Sequence, residues 1–225
     1  TASYFFKQYK QIGSVRIIWL PQSTALIHAK RKKHTKNELV RRVWEMGPIG
    51  EAKRNKLVRI GLIGTFMRSH LIEKYGASKN SLISLRNAVY FKKLDRYRRS
   101  QKTIEGRLKT LHIPTNKPLL FTFGRAEHYK GLDLAIKSSK TLLDQGYHLV
   151  ILCSQYPDLD GTKYVKKLRK LKQKYSTKIS LIITNDVLLP QLILQWHNCK
   201  ILALLSRAEP FGIIPIESRY YKNPN

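Results

Sequence analysis

Two carboxylates, Glu209 and Glu217, stand eight positions apart in Ser206-Arg207-Ala208-Glu209-Pro210-Phe211-Gly212-Ile213-Ile214-Pro215-Ile216-Glu217. Ionised carboxylates accept hydrogen bonds and donate none. The apolar run 201–205 before them reads as a buried strand. That puts Glu209 in the loop at the strand's carboxyl end and Glu217 on the helix that follows. Ligands of open parallel sheets bind in this crevice. Gly212 lets backbone approach a ligand, and the amides of Phe211, Gly212, Ile213 and Ile214 at a helix start favour an anionic group. A second segment has the same layout. Residues 119–123 read as a strand, Gly124-Arg125 and Lys130-Gly131 follow, and Leu132, Ala135, Ile136, Leu142 and Leu143 keep helical spacing up to Gly146. Arg125 and Lys130 thus share one strand-to-helix loop, where a diphosphate finds two cations. The plainer readings are two exposed cations among the 43 Lys and Arg of the chain, and a helix-start carboxylate at Glu209.

Taken together these residues resemble the family 4 (group 1) retaining glycosyltransferases. That family carries a Gly-Arg…Lys-Gly loop followed by Glu-Pro-Phe-Gly and a second Glu. The stretch from Phe66-Met67-Arg68-Ser69-His70 to Gly76, with Arg86-Asn87-Ala88-Val89, is similar to the family's segment leading into its interdomain crossing. The resemblance runs over about 58–217. It implies a GT-B-like α/β fold, with a Rossmann-like parallel sheet in the C-terminal part and an incomplete N-terminal α/β domain. It also implies transfer of a sugar from a nucleoside-diphosphate donor to an acceptor that the sequence does not identify. By that resemblance Glu209, Arg125 and Lys130 are catalytic. Gly124, Arg125, Lys130, Glu209, Phe211, Gly212, Ile213, Ile214 and Glu217 bind the donor, Glu209 at the sugar hydroxyls and Glu217 at the ribose. No cofactor or metal is expected, because Arg125 and Lys130 balance the diphosphate. The family's N-terminal domain also supplies a His close to the donor sugar. The comparable place here, Trp19-Leu20-Pro21-Gln22-Ser23, has none.

The elements that must position these groups alternate regularly from Pro118 onward. Strands are expected at 119–123, 148–153, 179–183 and 200–205, and helices at 129–145, 163–175, 189–198 and from 211, a doubly wound parallel pattern. Upstream, strands are expected at 14–20, 57–63 and 82–85. Helices are expected at 37–46, at 65–75 with Thr65 as cap and Gly76 as stop, and near 103–111. The division that follows is a partial N-terminal domain at 1–89, a charged interdomain linker at 90–109 and a truncated C-terminal nucleotide-sugar-binding domain at 110–225. The ending Ser218-Arg219-Tyr220-Tyr221-Lys222-Asn223-Pro224-Asn225 lacks the family's small residues, Gly and strand, and points to a fragment or a degraded gene product.

Composition bounds the alternatives. The chain has 225 residues, 42% of them hydrophobic, and no apolar run long enough to span a bilayer. Residues 1–20 carry Lys, Gln and Arg where a signal peptide has an apolar region. Cys153 and Cys199 read as buried free thiols of a reducing, cytoplasmic compartment. No His-Glu-x-x-His or Cys-x-x-Cys pattern is present. The net charge of +29 admits three readings: a solvated surface, peripheral contact with an anionic membrane, and nucleic-acid binding. The dense clusters are Lys30-Arg31-Lys32-Lys33, a stretch from Lys92 to Arg99, and Lys166 to Lys174 on a helix. A nucleic-acid binder lacks support from any zinc finger or RNA-recognition strand motif. The other rival is a nucleotide-binding remnant of the same fold that lacks turnover.

Overall fold

Runs of branched apolar residues bounded by Gly, Pro and Asn dictate the strands, and alternation of their side chains decides what covers each face. The computed structural model describes residues 16–22, 24–28, 36–85, 89–155, 159–175, 178–207, 209 and 212–222. The chain divides into two compact units, Thr1–Ala88 with Ala208–Gly212, and Val89–Arg207 with Ile213–Asn225.

In the first unit the order is β1 (Ile17–Trp19), α1 (Ala25–His28), α2 (Lys36–Arg54), β2 (Val58–Leu62), α3 (Thr65–Tyr75), a 3₁₀ turn (Lys79–Ser81) and β3 (Leu82–Ser84). The strands are parallel in the order β1-β2-β3, with Ile17 opposite Val58 and Ile60 opposite Leu82. Ile49, Val58, Ile60, Met67 and Leu71 are fully buried in its core. Helix α2 runs eight residues past the expected end at 46 and carries Pro48 inside. Burial of Ile49 and Ala52 outweighs the helix-breaking tendency of Pro there. Thr65 is the first helical residue rather than the cap. The N-cap is Gly64, without a side-chain bond, and Gly76 at φ 63° ends α3 as expected.

The second unit continues with α4 (Phe91–Asp95), α5 (Gln101–Thr110), β4 (Leu119–Arg125), a 3₁₀ turn (His128–Lys130), α6 (Leu132–Ser138), α7 (Lys140–Asp144) and β5 (His148–Ser154). Then come α8 (Leu159–Tyr175), β6 (Ile179–Ile183), α9 (Leu188–Gln195), β7 (Cys199–Leu202) and α10 (Ile213–Lys222). All pairings are parallel, in the order β6-β5-β4-β7. Alternate residues feed two cores. Leu119, Phe121, Val150 and Leu152 pack with Ile104, Leu108, Leu189 and Ile193 on one face. Leu120, Leu149, Ile151 and Cys153 pack with Leu132, Ile136, Val165 and Leu168 on the other. The 90–109 stretch therefore carries two helices, the second of which buries Ile104 and Leu108 in this unit.

The helix expected over 129–145 is three pieces. Gly131, at φ 67°, turns the chain between the 3₁₀ turn and α6. Buried Ser139 donates to the Ile136 carbonyl at 2.9 Å where α6 gives way to α7. β7 stops at Leu202, short of the expected 205, with the Ala203 N–H still donating to the Phe121 carbonyl of β4 at 2.8 Å. α9 stops at Gln195, short of 198, because Trp196 is extended. Both cysteines are buried and outside any disulfide, and burial pushes the Cys153 thiol up to about 12.

Candidate functional site

The strand order reverses between β4 and β7: the chain leaves β4 for β5 and β6 on one side, and β7 returns on the other. The crevice outside the carboxyl ends of such a pair is where open α/β sheets bind ligands. The β4 loop is forced close to the β7 loop here. A Cβ built on Gly131 would lie 1.9 Å from the Leu205 carbonyl oxygen, so both its positive φ and the space available require glycine. At Gly124 the contact is an ordinary one. Lys130 lies across it, with Cγ 3.4 Å from where a Cβ would be.

A cavity of about 440 Å³ opens at this end of the sheet. Gly124, Arg125, Lys130 and Ile214 line it, together with Thr184–Val187 from the loop after β6. Two cations from one loop therefore line a common space. Arg125 pairs with Glu127 at 3.2 Å and donates to the Tyr129 hydroxyl. Burial, reinforced by the Glu127 charge, pushes the Tyr129 phenol up to about 12. Asp186, which also lines the cavity, pairs with Arg107 at 3.5 Å.

Glu217 is half-buried on α10, one turn beyond Ile214, and accepts a hydrogen bond from Gln191 Nε2 at 3.3 Å. Burial raises its carboxyl pKa, against the opposing pull of Gln191 and Lys93. Among the described residues Gln191 Oε1 has no hydrogen-bond partner, although the side chain is buried. Ile213 is exposed. Glu209 is exposed and, like Gly212 at φ 77°, falls in the 208–212 segment that divides with the first unit. Phe211 lies outside the described residues. The structure thus brings Gly124, Arg125, Lys130 and Ile214 around one cavity.

Sequence reasoning missed a charged clamp beside this cavity. Asp133 is 1% exposed at the start of α6. It accepts from both Arg207 nitrogens at 2.9 and 3.1 Å, from Lys167 at 2.7 Å and from the Tyr164 hydroxyl at 2.8 Å. Arg207 also donates to the His128 carbonyl at 2.6 Å, and its backbone N–H donates to the Tyr129 carbonyl at 2.7 Å. One arginine from the β7 loop therefore fixes the loop that carries Lys130. Burial works against ionisation of Asp133, but the bonds from Arg207, Lys167 and Tyr164 outweigh it and hold the carboxyl below the usual range. Nothing in the one-dimensional pattern marks Arg207 out from the other basic residues.

A family model described as glycosyl transferases group 1 matches residues 105–224. A glycogen synthase from Cellvibrio japonicus (strain Ueda107) is 32% identical over 111 residues, 49% of this chain and 22% of that protein. Among solved structures, sucrose-phosphate synthase from Thermosynechococcus elongatus aligns with a TM-score of 0.71 at 13% identity, over 99% of this chain and 52% of its own. Anabaena HepE in complex with UDP and glucose aligns with a TM-score of 0.69 at 17% identity, over 94% of this chain and 52% of its own. The chain thus spans about half the length of these solved proteins and less of the curated relative.

Proposed function

We propose, for a chain that belongs to the group 1 glycosyl transferases and shares the α/β GT-B fold of its structural neighbours, that the cavity at the β4–β7 crossing binds a nucleoside-diphosphate sugar. The observation that carries this reading is the placement of Arg125 and Lys130 on one wall of that cavity, at the carboxyl end of β4. When the bond from sugar to diphosphate breaks, negative charge grows on the leaving oxygen. Fixed cations aimed at that oxygen lower the barrier without having to reorganise. In this reading Arg125 and Lys130 supply the positive charge that a divalent cation would otherwise bring, and Gly124 gives the Lys130 side chain room to lie across the end of β4. Glu217 accepts from the ribose hydroxyls, oriented by Gln191, and Glu209 accepts from the sugar hydroxyls. The transfer retains configuration, as in the family the motif resembles, and the acceptor is a carbohydrate, lipid or small molecule.

The test is calorimetric titration of a nucleoside diphosphate into the wild-type chain and three variants. Arg125→Ala and Lys130→Ala are each expected to weaken binding about ten-fold or more, since a lost charged partner costs a few kcal/mol and about 1.4 kcal/mol is ten-fold. Glu217→Ala is expected to weaken a ribonucleotide more than inorganic pyrophosphate. A folded wild type with no preference for the nucleotide over sulfate at matched ionic strength would overturn the assignment.

A further inference from the structure

Arg125 does not meet the cavity bare. A tight turn, closed by the Glu127 N–H donating to the Arg125 carbonyl at 2.7 Å, folds the Glu127 carboxylate back to 3.2 Å from the guanidinium. The Tyr129 hydroxyl accepts from the same guanidinium, whose carbon stands 5.6 Å from the Tyr129 ring centre. Lys130 Nζ stands 5.3 Å from that ring centre. A carboxylate thus stands at one terminal nitrogen of Arg125, Nη1, a donor that a phosphate oxygen would also use. With Glu127 in place, this loop offers an incoming anion one net positive charge rather than two. The Arg125 and Glu127 side chains are 45% and 26% exposed, so the pair sits at the solvent boundary, where an ion pair is weak enough to exchange.

We propose that Glu127 is an internal counter-ion of this site, displaced from Arg125 when the diphosphate binds, and that it sets which anions the site accepts; the inference rests on the donor-site reading above. A diphosphate engages Arg125 and Lys130 together, and its several oxygens replace what the carboxylate gave. An anion that reaches only one cation gains little beyond what Glu127 already provides. Discrimination between ligands is a difference of affinities, and a built-in competitor widens it by suppressing the weaker ligand. Tyr129 keeps the guanidinium plane in position during the exchange.

The experiment titrates UDP and sulfate into the full chain as wild type, Glu127→Gln, Arg125→Ala and the double variant, with thermal melts to confirm folding. Glu127→Gln keeps the size and an acceptor while removing the charge. It is expected to bind UDP about three- to ten-fold tighter and to gain more than that for sulfate, so that the preference for UDP shrinks. In the Arg125→Ala background the same substitution is expected to change little, because the two act as a coupled pair. UDP binding that is unchanged or weaker in Glu127→Gln, with wild type still binding, would overturn the counter-ion and leave the donor site standing. A gain that persists undiminished without Arg125 would also overturn it, by showing a general charge effect. Absence of UDP binding in both the folded wild type and Glu127→Gln would overturn the donor site and this inference together.

Discussion

A single carboxylate decides how firmly the Lys130 loop is held. Asp133 is nearly inaccessible and accepts from Arg207, Lys167 and Tyr164. Removing the charge from such a group leaves Arg207 and Lys167 without their anion, a loss that typically costs about 3–5 kcal/mol. Asp133→Asn is therefore expected to lower the unfolding free energy extrapolated from urea curves by about that much at neutral pH, and a loss below about 1 kcal/mol would show that the clamp is not a stabilising unit. The folded carboxyl sits below the unfolded value of about 3.9. Its contribution is thus fully present above that value and is lost as the pH falls below it toward the folded value. The variant should lack this acid-side loss. Sequence made Arg125 and Lys130 visible because Gly-Arg and Lys-Gly lie within one loop. It hid Arg207, whose partner is 74 positions away and whose significance comes only from that partner's burial.

At the scale of elements, the strands were the legible part, since 119–123, 148–153 and 179–183 are mostly apolar runs, broken only by Thr122, His148 and Ser180, that pair in parallel as expected. The helices were less so. The break before α6 follows from the Leu205 carbonyl pressing on Gly131, a contact between two loops of distant sequence. α2 runs through Pro48 because burial of Ile49 outweighs a local rule. Gly131→Ala tests the first point. It combines a strained positive φ with a backbone overlap that no flexible side chain can relieve, so it should destabilise by about 3 kcal/mol or more in denaturant unfolding and weaken UDP binding. A wild-type-like midpoint would show that the two loops can part freely. A second test lies where β5 meets β6. His148, buried and 2.8 Å from Ser180 Oγ, is pushed down to about 4 by burial and by Lys117 and Lys172. Unfolded, it protonates near 6.5, so between those values the unfolded chain binds the extra proton. Stability is then complete above about 6.5 and falls toward pH 4, by up to roughly 3 kcal/mol. His148→Gln should flatten that window while leaving the Asp133 window below it. Unfolding curves at pH 7, 5 and 3 separate the two.

Across the whole molecule, family membership is carried by the C-terminal part, where the family model matches 105–224. The net charge of +29 belongs to neither motif nor fold. No helix among the described residues is long and apolar enough to cross a membrane. Peripheral contact with an anionic membrane is a separate proposal, and it can be localised. The Lys30–Lys33 cluster lies outside the described residues. Arg96, Arg98 and Arg99 are exposed, but Arg98 is held by Asp95 at 3.1 Å and stacks 4.9 Å from the Tyr220 ring centre. The charge of Arg98 is thus partly matched within the fold, while Arg96 and Arg99 are the better contacts. Each cation near an anionic leaflet contributes about 1 kcal/mol, so replacing Arg96 and Arg99 with Gln should weaken binding to phosphatidylserine vesicles by about thirty-fold. Neutral vesicles should bind neither protein, and added salt should erase the difference. The control replaces Lys166 and Lys170, which lie on α8. If those replacements cost as much as the arginine pair, the attraction belongs to the total charge and not to a face. If wild type binds anionic and neutral vesicles equally in low and high salt, the electrostatic contact is absent, and the charge is a solvated surface.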